Sequence, residues 1–160
     1  MIHGIYSSNQ NRNFQRDIAY INLQIFSIKK AESVAIIKLA LESPDSRIKA
    51  AGCLVAGEKN FDFVEDLILN VNDDDELVRQ ASRQALIYLS NKIICEREKS
   101  AKQDVTKNGK MPPGKNTGIK AVDFGPIIGE HSNLALNSSQ NMWKVWFAEN
   151  LGKNRNSTDK

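Results

Sequence analysis

A unit of thirty residues recurs along the first half of the chain, and no other feature constrains the fold as tightly. Val34-Ala35-Ile36-Ile37-Lys38-Leu39-Ala40-Leu41 lies over Val64-Glu65-Asp66-Leu67-Ile68-Leu69-Asn70-Val71 without a gap. Val34 pairs with Val64, Ile37 with Leu67, Leu39 with Leu69 and Leu41 with Val71. The match continues through Asp45 with Asp75, Ile48 with Val78, Lys49 with Arg79, Ala51 with Ala81 and Val55 with Ala85. One unit back, Ile18, Ile21 and Ile25 fall under Ile48, Ala51 and Val55. The segment Asp17–Ser27 therefore reads as the second helix of an incomplete first unit, whose outer face meets water as a terminal cap.

Within each unit the apolar residues keep helical spacing: 34, 37 and 41; 64, 67, 68 and 71; 78, 81, 85, 86 and 89. Ser43-Pro44-Asp45 breaks the first pair of helices, since Pro44 disfavours helix at Ser43. Asn72–Glu76 breaks the second, and acids there suit the positive end of the helix that follows. Asp45 is the expected N-cap in one unit, and Asp74 or Asp75 in the next. A helix pair this short cannot hide its own apolar stripe, so consecutive pairs must stack. Small residues at Ala50, Ala51, Gly52, Ala81, Ser82 and Ala85 let neighbouring helices approach closely.

Asp45-Ser46-Arg47-Ile48-Lys49-Ala50-Ala51 and Asp75-Glu76-Leu77-Val78-Arg79-Gln80-Ala81 resemble the signature of HEAT-like repeats: acid, spacer, aliphatic residue, basic residue, small-residue run. The period resembles the short variety also found in phycobilisome lyase subunits. The resemblance covers about residues 17–92. It implies an all-α fold, a short right-handed α-α superhelix of helical hairpins. It also implies a scaffold, adaptor or inhibitor role rather than catalysis, by analogy of fold alone.

The expected organisation is an N-terminal arm over 1–16, repeats over 17–103, a long polar insertion over 104–138, a C-terminal capping helix over 139–152 and a frayed tail over 153–160. Residues 91–103 continue as a polar helix carrying Ile93, Ile94 and Cys95. The Gly- and Pro-rich stretch 107–118 has no periodicity and reads as a loop. Within the insertion, Val122-Asp123-Phe124-Gly125-Pro126 forms an apolar island whose Val122 and Phe124 dock back on the helices. In the last helix, Met142, Trp143, Trp146, Phe147 and Leu151 share one stripe, with Gly152 as its stop. An island of this kind paired with a Trp-x-x-Trp helix also resembles some bacterial and phage HEAT-repeat proteins.

Charge is unevenly spread. Residues 1–90 carry 10 Lys/Arg against 12 Asp/Glu, and residues 91–160 carry 12 against 7. Between Lys92 and Lys120, 8 basic residues face 3 acids. Such a stretch is either a solvated segment or a phosphate-attracting one, with Lys107, Lys110 and Lys115 as its candidate contacts. It lacks the interleaved aromatics of single-strand binders. The candidate interaction residues are therefore Trp143, Trp146, Phe147 and Phe124 for a protein partner, and those lysines for a nucleic acid. For the two tryptophans the competing readings are core closure and an exposed binding anchor.

Chemistry-bearing constellations are missing from the pattern. His3 and His131 have no Cys, Asp or Glu at metal-ligand spacing. The run Asp73–Glu76 lacks the calcium-loop spacing, and Gly109, Gly114 and Lys115 are followed by Asn116 where a phosphate loop needs Ser or Thr. Cys53 and Cys95 form no C-x-x-C pair and read as reduced thiols, Cys53 within an apolar stripe. The N-terminus has no secretory signal pattern, and no run of 18 apolar residues exists. The expectation is a non-enzymatic, cytoplasmic interaction protein without metal, cofactor or membrane span. The other readings are a component of an assembly such as a virion, nucleic-acid binding through Lys92–Lys120, and, more remotely, an accessory role like that of bilin lyases.

Overall fold

A computed structural model describes residues 8–31, 33–59, 61–108 and 122–151, with side chains described from Arg16 to Ser100 and from Val122 to Leu151 apart from 32, 60 and 61. Every regular element among them is helical: α1 (Ser8–Ala31), α2 (Val34–Leu41), α3 (Ser46–Lys59), α4 (Val64–Asn70) preceded by a short 3-10 turn (Phe61–Phe63), α5 (Glu76–Asn108) and α6 (Asn133–Leu151). Helices α1, α3 and α5 lie in a row with α3 in the middle. Helix α2 packs across α1 and α3, α4 across α3 and α5, and α6 against α4 and α5.

The thirty-residue repeat returns as hydrogen bonds. Asp45 Oδ1 accepts from the Arg47 N–H at 2.9 Å, and Asp75 Oδ1 accepts from the Leu77 N–H at 2.8 Å. The carbonyls of the same two aspartates accept the first intrahelical bonds, from the Lys49 and Arg79 N–H groups. Each aspartate N–H in turn donates to the side chain two residues before it, Ser43 Oγ in one unit and Asp73 Oδ1 in the next. Both are N-caps, each worth about 1 kcal/mol, and Asp75 rather than Asp74 fills the second position. Lys49 Nζ then reaches Asp73 across the units at 2.8 Å.

Burial follows the same register. Ile37 and Leu67, Leu41 and Val71, Ala51 and Ala81, and Val55 and Ala85 are all in the core. Helix α3 is buried nearly all round, through Ala50, Ala51, Gly52, Cys53, Val55, Ala56 and Gly57, because it has helices on several sides. Its glycines permit that closeness. A Cβ on Gly57 would stand 2.7 Å from Ala85 Cβ, and one on Gly52 would stand 2.8 Å from Ala40 Cβ. No side chain larger than hydrogen fits at either crossing.

Four expectations need correction. The N-terminal arm does not extend to residue 16, since α1 already starts at Ser8. Polar residues carry no apolar stripe to read, but a helix once nucleated extends cheaply through them. For the same reason α5 runs past Gln103 to Asn108. The last helix starts at Asn133, not Ser139, because Ser132 supplies its cap: Ser132 O accepts from the Leu136 N–H at 2.9 Å, and its Oγ from the Ala135 N–H. Finally, Val34 is exposed where Val64 is buried, Ile18 is half-open, and the aligned pair Leu39 and Leu69 both face outward. Residues 153–160, and Gly152 with them, lie outside the described residues.

Candidate interaction surface

The aromatic residues singled out by the sequence come together, but inward. Trp143 is fully buried, with Phe124 edge-on to its ring at a centroid distance of 5.0 Å and Phe147 stacked on it at 6.0 Å. Phe147 is buried, and Trp146 stands half-buried, edge-on to it. Met142, assigned to the same stripe, is exposed.

The island around Phe124 is a strap laid across α5 and α6. Its backbone turns at Gly125, which has φ +77°, and the Gly125–Pro126 peptide is cis. Trp143 Nε1–H donates to Gly125 O at 2.9 Å, and Gln80 Nε2–H donates to Pro126 O at 3.2 Å. Arg83 grips Asp123 with two bonds of 2.9 and 2.6 Å, and Asp123 Oδ1 also accepts from the Gly125 N–H. Val122 and Phe124 pack on the core, as their place in the sequence implied. Beyond the strap, buried Arg79 donates to Asp73 O and Asp74 O and reaches Glu130 O and His131 Nδ1. These contacts seal the C-terminal end of the helical row.

The Arg83 guanidinium beside Asp123 holds its carboxyl below the usual range, with the Gly125 N–H adding to the effect. A depressed folded value contributes stability above the unfolded carboxyl pKa of about 3.9, lost as pH falls through the folded value. The gap in thermal midpoint between wild type and Asp123→Asn is therefore expected to be widest near neutral pH and to close in acid. A gap that stayed constant down to about pH 2 would mean the Arg83 pair does not hold the strap.

The two thiols differ in their surroundings. Cys53 is buried, its pKa pushed up to about 11 by desolvation, and it receives hydrogen bonds from Ser82 Oγ and Asn70 Nδ2. Cys95 is exposed on α5. Among the described residues no group of three or more His, Cys, Asp or Glu is placed to hold a metal, and no helix is long and apolar enough to cross a membrane. Of the basic stretch Lys92–Lys120, Arg97 is tied to Asn150 on α6. Lys107 sits in the final turn of α5 with its side chain outside the described set, and Lys110 and Lys115 lie outside the described residues altogether.

Exposed apolar side chains occur at both ends: Ile127, Ile128, Leu134 and Val145 around the strap and α6, and a second group on the two N-terminal helices. On α1, Leu23 is 58% and Phe26 65% exposed, and on α2 Val34, Ile36 and Leu39 are exposed too. One unit later, Cys53 and Ala56 occupy the positions of Leu23 and Phe26 and are completely covered. The difference is positional: among the described helices, α3 has α1 and α5 on its two sides in the row, whereas α1 has α3 on one side. Between α1 and α2 runs an open groove lined by Ser27, Ile28, Ala31, Ile36, Leu39 and Pro44. Sequence reasoning assigned the outer face of this first unit to water and so passed over Leu23 and Phe26. The available signal was that both fall off the 18–21–25–28 stripe that faces α3, and that α2 has Lys38 as its sole charged residue.

No family model, curated protein or solved structure matches the chain.

Proposed function

We propose that this chain is a non-enzymatic interaction module, a short HEAT-like stack of helical hairpins that binds a protein partner through its N-terminal end. The observation that carries this reading is the pair Leu23 and Phe26, large apolar side chains left open at positions sealed one repeat later. An exposed apolar patch on an otherwise polar helix is a liability unless something covers it. The repeat register and the capped turns support the HEAT-like superhelix, whose right-handed sense follows from the family resemblance.

The two ends of the row are unlike. Trp143, Phe124 and the strap pack together at the C-terminal end, which supports core closure as the role of Trp143, while Trp146 stands half-buried. Among the described residues, the outer faces of α1 and α2 have no such cover. Affinity capture from the native source is expected to retain a stoichiometric protein partner with the wild-type chain and to lose it with Phe26→Asp. Capture that recovers no such partner, or a partner indifferent to Phe26→Asp, would refute this reading.

A further inference from the structure

The charges around Leu23 and Phe26 narrow the partner's chemistry. Lys29 pairs with Glu58, and Asp17 faces Arg47, so these four groups satisfy one another within the chain. Among the described residues no carboxylate pairs with Arg16, Lys30 or Lys38. Arg16 and Lys30 are both exposed, one before and one after the apolar pair on α1, and Lys38 is exposed on α2 beside Leu39. Among the described residues lining the groove, Glu42, at the far end of α2, is the one acid. The chain from residue 1 to 90 is net acidic, yet this end presents cations around an apolar centre.

We infer that the α1–α2 end docks an amphipathic helix of a partner protein, one carrying acidic side chains along the edges of its apolar stripe. This inference rests on the interaction-module reading and adds the partner's chemistry to it. A helix laid along α1 over Leu23 and Phe26 buries its own apolar stripe there. Its flanking carboxylates then meet Arg16 and Lys30. A second copy of this chain fits less well, because its own α1 would bring Arg16 and Lys30 against their like. Electrostatic complementarity of this kind selects partners and speeds encounter, while the apolar centre supplies most of the affinity.

The test uses the full chain and two synthetic helical peptides of about 18 residues, long enough to be partly helical alone. Both carry the same leucine stripe, one flanked by glutamates and the other by lysines. Fluorescence anisotropy of the labelled peptides reads binding. The glutamate peptide is expected to bind at least about tenfold more tightly than the lysine peptide, and to weaken as salt rises from about 0.05 to about 0.5 M. Phe26→Asp is expected to weaken it by about thirtyfold or more, as loss of a central anchor does. The charge reversals Arg16→Glu and Lys30→Glu together are expected to invert the preference between peptides.

Equal binding of the two peptides, or no binding of the glutamate peptide at about 1 mM, would overturn the inference. So would a wild-type dimer in sedimentation that Phe26→Asp dissolves, which assigns the face to a second copy. A native partner lost with Phe26→Asp but kept with the two charge reversals would overturn the acidic chemistry alone and leave the interaction module standing.

Discussion

Replacing Trp143 with alanine should remove about 3–5 kcal/mol of folding stability, a large part of what a domain of this size possesses. The side chain is fully buried and touches both Phe124 and Phe147. Its removal leaves a cavity between strap and helix, with the surrounding structure too constrained to collapse into it. It also strips the part-buried Gly125 O of its indole donor, an additional cost. Because Arg83 and Gln80 hold the strap from the other side, the variant is expected to keep its helical content in water while its urea midpoint drops. A loss under about 1 kcal/mol would mean that the indole is solvated and that α6 does not seal the row.

Leu86→Ala is the second large effect, about 2–5 kcal/mol. Leu86 is fully buried on α5, the helix that packs against α3, α4 and α6. Phe26 is the informative contrast, since it occupies the equivalent place two units earlier and is 65% exposed. Phe26→Ser should change stability by no more than about 0.5 kcal/mol, as exposed substitutions do. Urea melts of the two variants side by side test the repeat register directly. Similar costs at both positions would mean that α1 is covered in the isolated chain, contrary to the open face described above.

The repeat was readable because packing at the centre of the row leaves a pattern. Ile37 and Leu67, or Val55 and Ala85, are buried by the same kind of neighbour, so the same residue types recur at the same spacing. The turns were readable for a related reason: Asp45 and Asp75 cap by local hydrogen bonds that depend on few distant contacts. The docking of Val122 and Phe124 was also legible, as an apolar island in a polar stretch has few other uses. What stayed hidden depends on chain termini and on long-range partners. Nothing local in Asn9–Arg12 announces a helix, and nothing in Asp123 announces Arg83, 40 positions away. The open apolar face of α1 has no local signature, because it depends on which helices pack against it. In sequence Leu23 and Phe26 look like any core pair, and it is their exposure on α1 that sets them apart.

The strap has a consequence for the order in which parts of the molecule come apart. A final helix ordinarily frays first, being held from one direction only. Here α6 is bolted to α5 through Asp123 and Gly125 as well as through its own aromatic side, so its opening requires the strap to lift with it. The looser boundary therefore falls at the opposite end, where α1 can detach without disturbing the aromatic cluster. Slow amide exchange should concentrate in α3, α5 and α6, and the low-energy fluctuations toward α1.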